Sequence, residues 1–339
     1  MKNFLTALTI FSSIHVFAQT TDSATYFYQK GIEEKAAKRY LVASKNFDKA
    51  IVLNPKYTQA YIDNGYADLE MRKTDAAIIN FTRANELEPT NNTAINELMN
   101  LHFNYRQYPK AVEYAQKCKD CANAEKVIAM SYFQQEDYAK AEKALLKLIP
   151  KTPNDAALNY TLGRTYLELE QEKKAILYYD KAVHLDSTES AWLHELGMIY
   201  YTVNDYKNAA VYFNKAAANG FVQSNDFNEN LGFSYIYSGE FDKGEKILMD
   251  VLAKKPGNKD LLRDIADAYY QLKNYDKSLD FCQKLMELDA KDGQALYQAG
   301  QCFIKKGQKD RGQAMCDKAI ELDPSLNKLK KQQQIAAGL

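Results

Sequence analysis

Little in this chain interrupts a helix. Only 7 prolines and 14 glycines are spread over 339 residues. Proline lacks the donor that a helix interior needs, and glycine costs backbone entropy there. Their scarcity, beside abundant Ala, Lys, Leu, Glu and Tyr, suits helix throughout. An excess of one charge is also lacking: 44 Lys and Arg face 44 Asp and Glu, for a net charge of zero. That excludes the basic stripe by which a nucleic-acid binder releases counterions, so no nucleic-acid partner is expected. Histidine is rare, with 4 in the chain. No H-E-x-x-H, G-x-S-x-G or G-x-x-x-x-G-K-[ST] occurs. Neither catalysis nor a metal or other cofactor is therefore expected. No apolar run is long enough to span a bilayer comfortably.

The first 18 residues differ from all that follows. One Lys precedes the apolar run FLTALTIF, and Val16 and Ala18 fill the small-residue slots before Gln19. This pattern predicts a signal peptide over 1–18, cleaved after Ala18, with a short linker over 19–23. The mature protein is expected to be exported, periplasmic or secreted, in an oxidising compartment.

A repeat of 34 residues fills the rest. LNYTLGRTYLELEQEKKAILYYDKAVHLDST, LHELGMIYYTVNDYKNAAVYFNKAAANG and NENLGFSYIYSGEFDKGEKILMDVLAKKPGN each carry Leu-Gly and then Tyr three residues after the Gly. In-phase units span 24–57, 58–91, 92–121, 122–155, 156–189, 190–224, 225–258, 259–292 and 293–326. A small residue opens the second half of every unit: Ala43, Ala77, Ala111, Ala141, Ala175, Ala209, Gly244, Ser278 and Gly312. Gly31, Gly65, Gly163, Gly197, Gly232 and Gly300 hold a matching slot in the first half, with Met99, Ala129 and Ala266 in the remaining units. Small residues at these places let two helices approach closely, and a proline such as Pro55 or Pro256 stops the second helix. One hairpin cannot bury its apolar face alone, so stability comes from stacking. The third unit is 4 residues short and the sixth has 1 residue more, which sets off three blocks of three.

This pattern resembles the tetratricopeptide repeat family. The resemblance implies an all-α, right-handed solenoid of about nine helix hairpins. Residues 327–339 read as a capping helix with Leu329 and Ile335 inward. In that family the first helix of each repeat lines the concave surface and usually holds a protein or peptide ligand. By register the inward residues are Tyr160 and Arg164, then His194, Met198 and Tyr201, then Glu229, Phe233 and Tyr237, then Arg263, Asp267 and Tyr270. Tyr28, Tyr66, Phe103, Phe133 and Tyr297 share that register. Tyrosine and arginine dominate binding hot spots, so 160–270 is the expected ligand surface. His102 falls in a packing slot, and His184 at a helix end.

There are 5 cysteines, so at least one thiol stays unpaired in a monomer. Cys118 stands in a slot elsewhere filled by Ala50, Ala84 or Ala182. Cys282 and Cys316 stand where other units place Phe47, Phe81 and Phe213, and Cys302 lies within reach of either. Residue 122 is Ala, which excludes haem attachment at Cys118-x-x-Cys121. Three readings stay open for that pair. They are buried packing residues, a disulfide across a bent linker, or a redox pair in which Cys121, opening a helix, is the reactive thiol. The function expected is a non-catalytic exported scaffold or adaptor that binds a partner segment in cell-envelope assembly. A groove for a cell-wall glycan or peptide, or a thiol-disulfide protein, are the alternatives.

Overall fold

The computed structural model describes residues 23–328. The signal-peptide reading, and all but the first two residues of the capping-helix reading, lie outside them. Every element among the described residues is helical. They form two compact units divided at Glu170. The first holds α1 (23–36), α2 (Tyr40–Leu53), α3 (Thr58–Glu70), α4 (Thr74–Leu87), α5 (Asn92–Asn104), α6 (Tyr108–Lys117), α7 (Ala124–Gln134), α8 (Tyr138–Leu148) and α9 (Ala156–Glu168). The second holds α10 (Glu172–Leu185), α11 (Ser190–Thr202), α12 (Tyr206–Ala218), α13 (Asn225–Tyr237), α14 (Phe241–Lys254), α15 (Lys259–Gln271), α16 (Tyr275–Leu288), α17 (Gly293–Lys305) and α18 (Lys309–Leu322).

Within each unit helices pack on their neighbours in chain order, as α3 does on α4 and α11 on α12, and first helices of successive hairpins also touch, as in α5 with α7 and α13 with α15. The small-residue slots explain the close packing. All nine residues from Ala43 to Gly312 that open second helices are buried, as are their first-helix counterparts. A Cβ added at Gly65 would stand 2.8 Å from Phe81, and one at Gly197 2.8 Å from Phe213. The ring of the second helix thus occupies the volume that a side chain would take. At Gly244 the neighbour is backbone: a Cβ would stand 2.6 Å from the carbonyl oxygen of Gly232.

The turn inside each hairpin is built one way. Its pivot has a left-handed backbone, at Lys38, Arg72, Arg106, Glu136, Glu170, Asn204, Gly239, Lys273 and Gly307. The residue after the pivot donates back across the helix end, as the amide of Lys73 does to the Asp68 carbonyl at 2.8 Å. Such bonds satisfy carbonyls that the helix leaves open. Between hairpins, side chains cap the next first helix: Asn91, Asp155, Ser224, Asn258 and Asp292 each accept from an amide in its first turn. The chain then enters a 3-10 turn at Pro324–Leu326, where buried Leu326 packs with Tyr297 and Ala319.

Candidate functional site

In the second unit, α11, α13, α15 and α17 carry the residues expected to meet a ligand. Tyr201 of α11 meets Tyr206 edge to face at 5.3 Å, and Tyr206 stacks on Tyr237 of α13 at 4.6 Å. The rings of Tyr201 and Tyr237 rest on the hydrophobic core below them. Met198 accepts a contact from the Asn230 amide at 3.4 Å. Further along, Tyr270 meets Tyr275 edge to face at 5.5 Å, and Gln298 donates to Asp267 at 2.6 Å. A pocket of about 300 Å³ opens there, between Arg263, Asp267, Tyr270, Tyr297, Gln301 and Leu326.

The electrostatics of this face follow from partial burial. Tyr201 is pushed up to about 12 by burial, with the rings of Tyr237 and Tyr206 and the charge of Asp264 adding to it. Glu229, Asp264 and Asp267 are each raised above the ordinary carboxylate value, first by desolvation; the charges of Asp226 and Asp264 add at Glu229, that of Asp260 at Asp264, and that of Asp264 at Asp267. Arg263 does not relieve them fully, because its guanidinium is held by Asp292 at 3.0 Å and Asp260 at 3.6 Å.

Hydroxyl partners separate this surface from others. Tyr179, Tyr212 and Tyr269, which lie elsewhere in the unit, donate to Glu195, Asp180 and Glu245. The hydroxyls of Tyr201, Tyr237 and Tyr270 make no hydrogen bond among the described residues. The first unit has the opposite arrangement. Tyr28 donates to Asp63 at 2.8 Å, Lys35 pairs with the same carboxylate at 2.7 Å, and Tyr66 donates to Glu97 at 3.1 Å. Its groove groups satisfy one another. The sequence reading found Tyr28 and Tyr66 but missed Asp63 and Lys35; their 28-residue separation across neighbouring first helices was the available signal.

Two expected contact residues turn out to be packing residues. Phe233 is only 9% exposed and belongs to the core beneath Tyr237. His194 has its ring stacked on Phe221 at 4.2 Å, with Phe213 and Phe227 each 5.7 Å away. Phe221 lies in the longer linker after α12, so the added length brings an aromatic ring over the histidine. Burial pushes His194 below the ordinary imidazole value. Tyr297 is likewise buried. Tyr160 and Arg164 lie on α9 of the first unit, where the Arg164 guanidinium stands 5.5 Å from the Phe133 ring and 6.0 Å from that of Tyr160.

Cys118 ends α6, and the linker bends before α7 begins. Cys118 and Cys121 are bridged, with Cα atoms 5.6 Å apart. Cys282, Cys302 and Cys316 are buried and form no disulfide among the described residues. Cys302 donates to the Ser278 hydroxyl at 3.3 Å, and Cys316 to the Tyr297 carbonyl at 3.6 Å. Burial pushes the Cys282 thiol up to about 12.

Family models described as tetratricopeptide repeat match residues 127–190, residues 235–294, and residues 193–218 with 293–326. The chain carries tetratricopeptide repeats. Over 163 residues it is 26% identical to anaphase-promoting complex subunit 3 of Schizosaccharomyces pombe, covering 46% of this chain and 24% of that protein. Over 121 residues it is 31% identical to human RNA polymerase II-associated protein 3, covering 31% of this chain and 18% of that one. The chain therefore spans a quarter or less of the length of these curated relatives. Among solved repeat structures, the C-terminal part of a tetratricopeptide repeat protein from Cytophaga hutchinsonii is 21% identical. That match covers 67% of this chain and 94% of the other, with a TM-score of 0.45. No helix among the described residues is long and apolar enough to cross a membrane.

Proposed function

We propose that this protein is an exported, non-catalytic scaffold that holds a segment of a partner protein on the first-helix face of its repeats, in the assembly of the cell envelope. The observation that carries the reading is the pair of Tyr201 and Tyr237, whose rings rest on the core while their hydroxyls, like that of Tyr270, have no partner among the described residues. A half-buried tyrosine offers a rigid apolar face and a donor at little entropic cost, which suits contact with a peptide. The relatives support an assembly role, since one is by name a complex subunit and the other is associated with a polymerase. Export rests on the leader over 1–18 and on the bridge at Cys118 and Cys121, because disulfides persist in oxidising compartments.

Photo-crosslinking in the exporting cell tests this. A photoreactive residue at Tyr237 should trap a protein, and one at Leu177, exposed on a second helix, should not. Adducts at Leu177 alone would overturn the reading, whereas trapped glycan at Tyr237 would favour the glycan alternative. The mass of the exported protein should correspond to a chain starting at Gln19. Thiol titration tests the redox alternative. The native chain should show no reactive thiol and the denatured chain 3, rising to 5 only after reduction. Rapid exchange of the bridge with small thiols in the native protein would instead favour a thiol-disulfide role.

A further inference from the structure

Asp264 and Asp63 hold the same place in their repeats, each two residues before the small residue of its first helix, Ala266 and Gly65. Their surroundings differ: the places that Tyr28 and Tyr66 hold around Asp63 are held around Asp264 by Glu229 and Asp267. At Asp63 the chain supplies its own cation: Lys35, four residues after Gly31 in the preceding first helix. Its ammonium stands 2.7 Å from the carboxylate and 5.0 Å from the centroid of the Tyr66 ring. The residue four after Gly232, and so the counterpart of Lys35, is Ile236, which is fully buried. Asp264 consequently has no ion pair among the described residues, and neither has Glu229 on α13. The basic side chains near it are engaged elsewhere: Lys259 with Asp289 at 2.9 Å, and Arg263 with Asp292 and Asp260. The tyrosine rings that feel the charge of Asp264 come from other places in the repeat: Tyr201, four residues after Gly197, and Tyr237, five after Gly232.

Resting on the groove reading above, we propose that the segment held by the second unit is basic, and that its lysine or arginine side chain pairs with Asp264 beside Tyr237, supplying from outside the cation that Lys35 supplies to Asp63. Glu229 and Asp267 flank that place. Their crowding is consistent with it, since the charge of Asp264 raises both neighbouring carboxylates and an arriving cation relieves that repulsion. Rings of tyrosine attract a cation over their faces, and a carboxylate gives it a charge-assisted hydrogen bond. A neutral or acidic segment would leave the carboxylates as crowded as before.

Fluorescence anisotropy on the full chain tests this, with a labelled octapeptide of alternating serine and arginine and its counterpart with citrulline in place of arginine. The arginine peptide should bind about tenfold more tightly or better, the worth of one charge-assisted hydrogen bond. The combined variant Glu229→Gln, Asp264→Asn and Asp267→Asn should abolish that preference without changing the helical circular dichroism. A preference that survives neutralisation overturns the inference, because the arginines then bind elsewhere. Equal binding of both peptides, lost in Tyr201→Ala with Tyr237→Ala, overturns the basic partner but leaves the groove reading standing. Binding of neither peptide overturns the inference too, and the groove reading then depends on the crosslink at Tyr237 alone.

Discussion

Two histidines show how packing sets the chemistry of single residues. His102 is 4% exposed, stacks on Tyr114 at 5.4 Å and shares a hydrogen bond with Gln107 at 2.8 Å. His194 is enclosed by three phenylalanine rings. Burial holds both below the ordinary imidazole value of about 6.5. Each is neutral in the folded chain, while the unfolded chain takes up its proton first as pH falls. Stability contributed by the neutral rings is therefore intact above pH ~6.5 and lost as pH drops through that value toward the lower folded one. Denaturant melts should show a slope of at most about 1.4 kcal/mol per pH unit for each histidine. His194→Gln should remove its share below pH ~6.5, and an unchanged slope would show that its ring is not desolvated. The sequence told His102 to be a packing residue, because other repeats put Tyr in its slot. It could not do so for His194, whose cover comes from a linker aromatic outside the repeat pattern.

The helical hairpin is the element that the sequence wrote most plainly. Spacing of small residues marked a buried close approach in every hairpin. The turn pivot was invisible by comparison, because its left-handed backbone is occupied by Lys, Arg or Glu in most repeats and by Gly in only two. A side chain in that conformation costs about 1–2 kcal/mol, of which the looser unfolded state of glycine returns part. Lys273→Gly, at φ 61°, should accordingly stabilise the chain by up to about 1 kcal/mol in thermal melts. The opposite result is expected at the helix crossing. Gly244→Ala would set a methyl 2.6 Å from the Gly232 carbonyl and 2.9 Å from the Ile236 amide nitrogen. Backbone cannot rotate away as a side chain can, so a loss of about 1–3 kcal/mol should follow. A melt unchanged by this substitution would mean that the two helices separate freely.

At the scale of the molecule, repeats of this kind contact mainly their neighbours, and stability is close to a sum of local terms. Truncation after Asp289 would uncover the side of α16 on which α17 packs. Hydrogen exchange should then quicken in α15 and α16, where Phe281, Cys282 and Leu285 are buried. Amides of α3 to α6 in the first unit should exchange as before. Faster exchange there would show cooperativity reaching beyond neighbouring repeats.

The amino-acid sequence alone determined the helices, their pairing and the small-residue contacts, because each depends on spacing within one repeat and the repeat recurs in phase. It also marked the tyrosines of the first helices. Tertiary structure decided which of those residues remain available. Burial took Phe233, Phe221 covered His194, and Asp292 engaged Arg263. It also brought Lys35 to Asp63 while leaving Asp264 without an ion pair among the described residues. These outcomes depend on side chains from different repeats meeting in space, and a register read along one strand of sequence carries no record of which neighbour fills which gap.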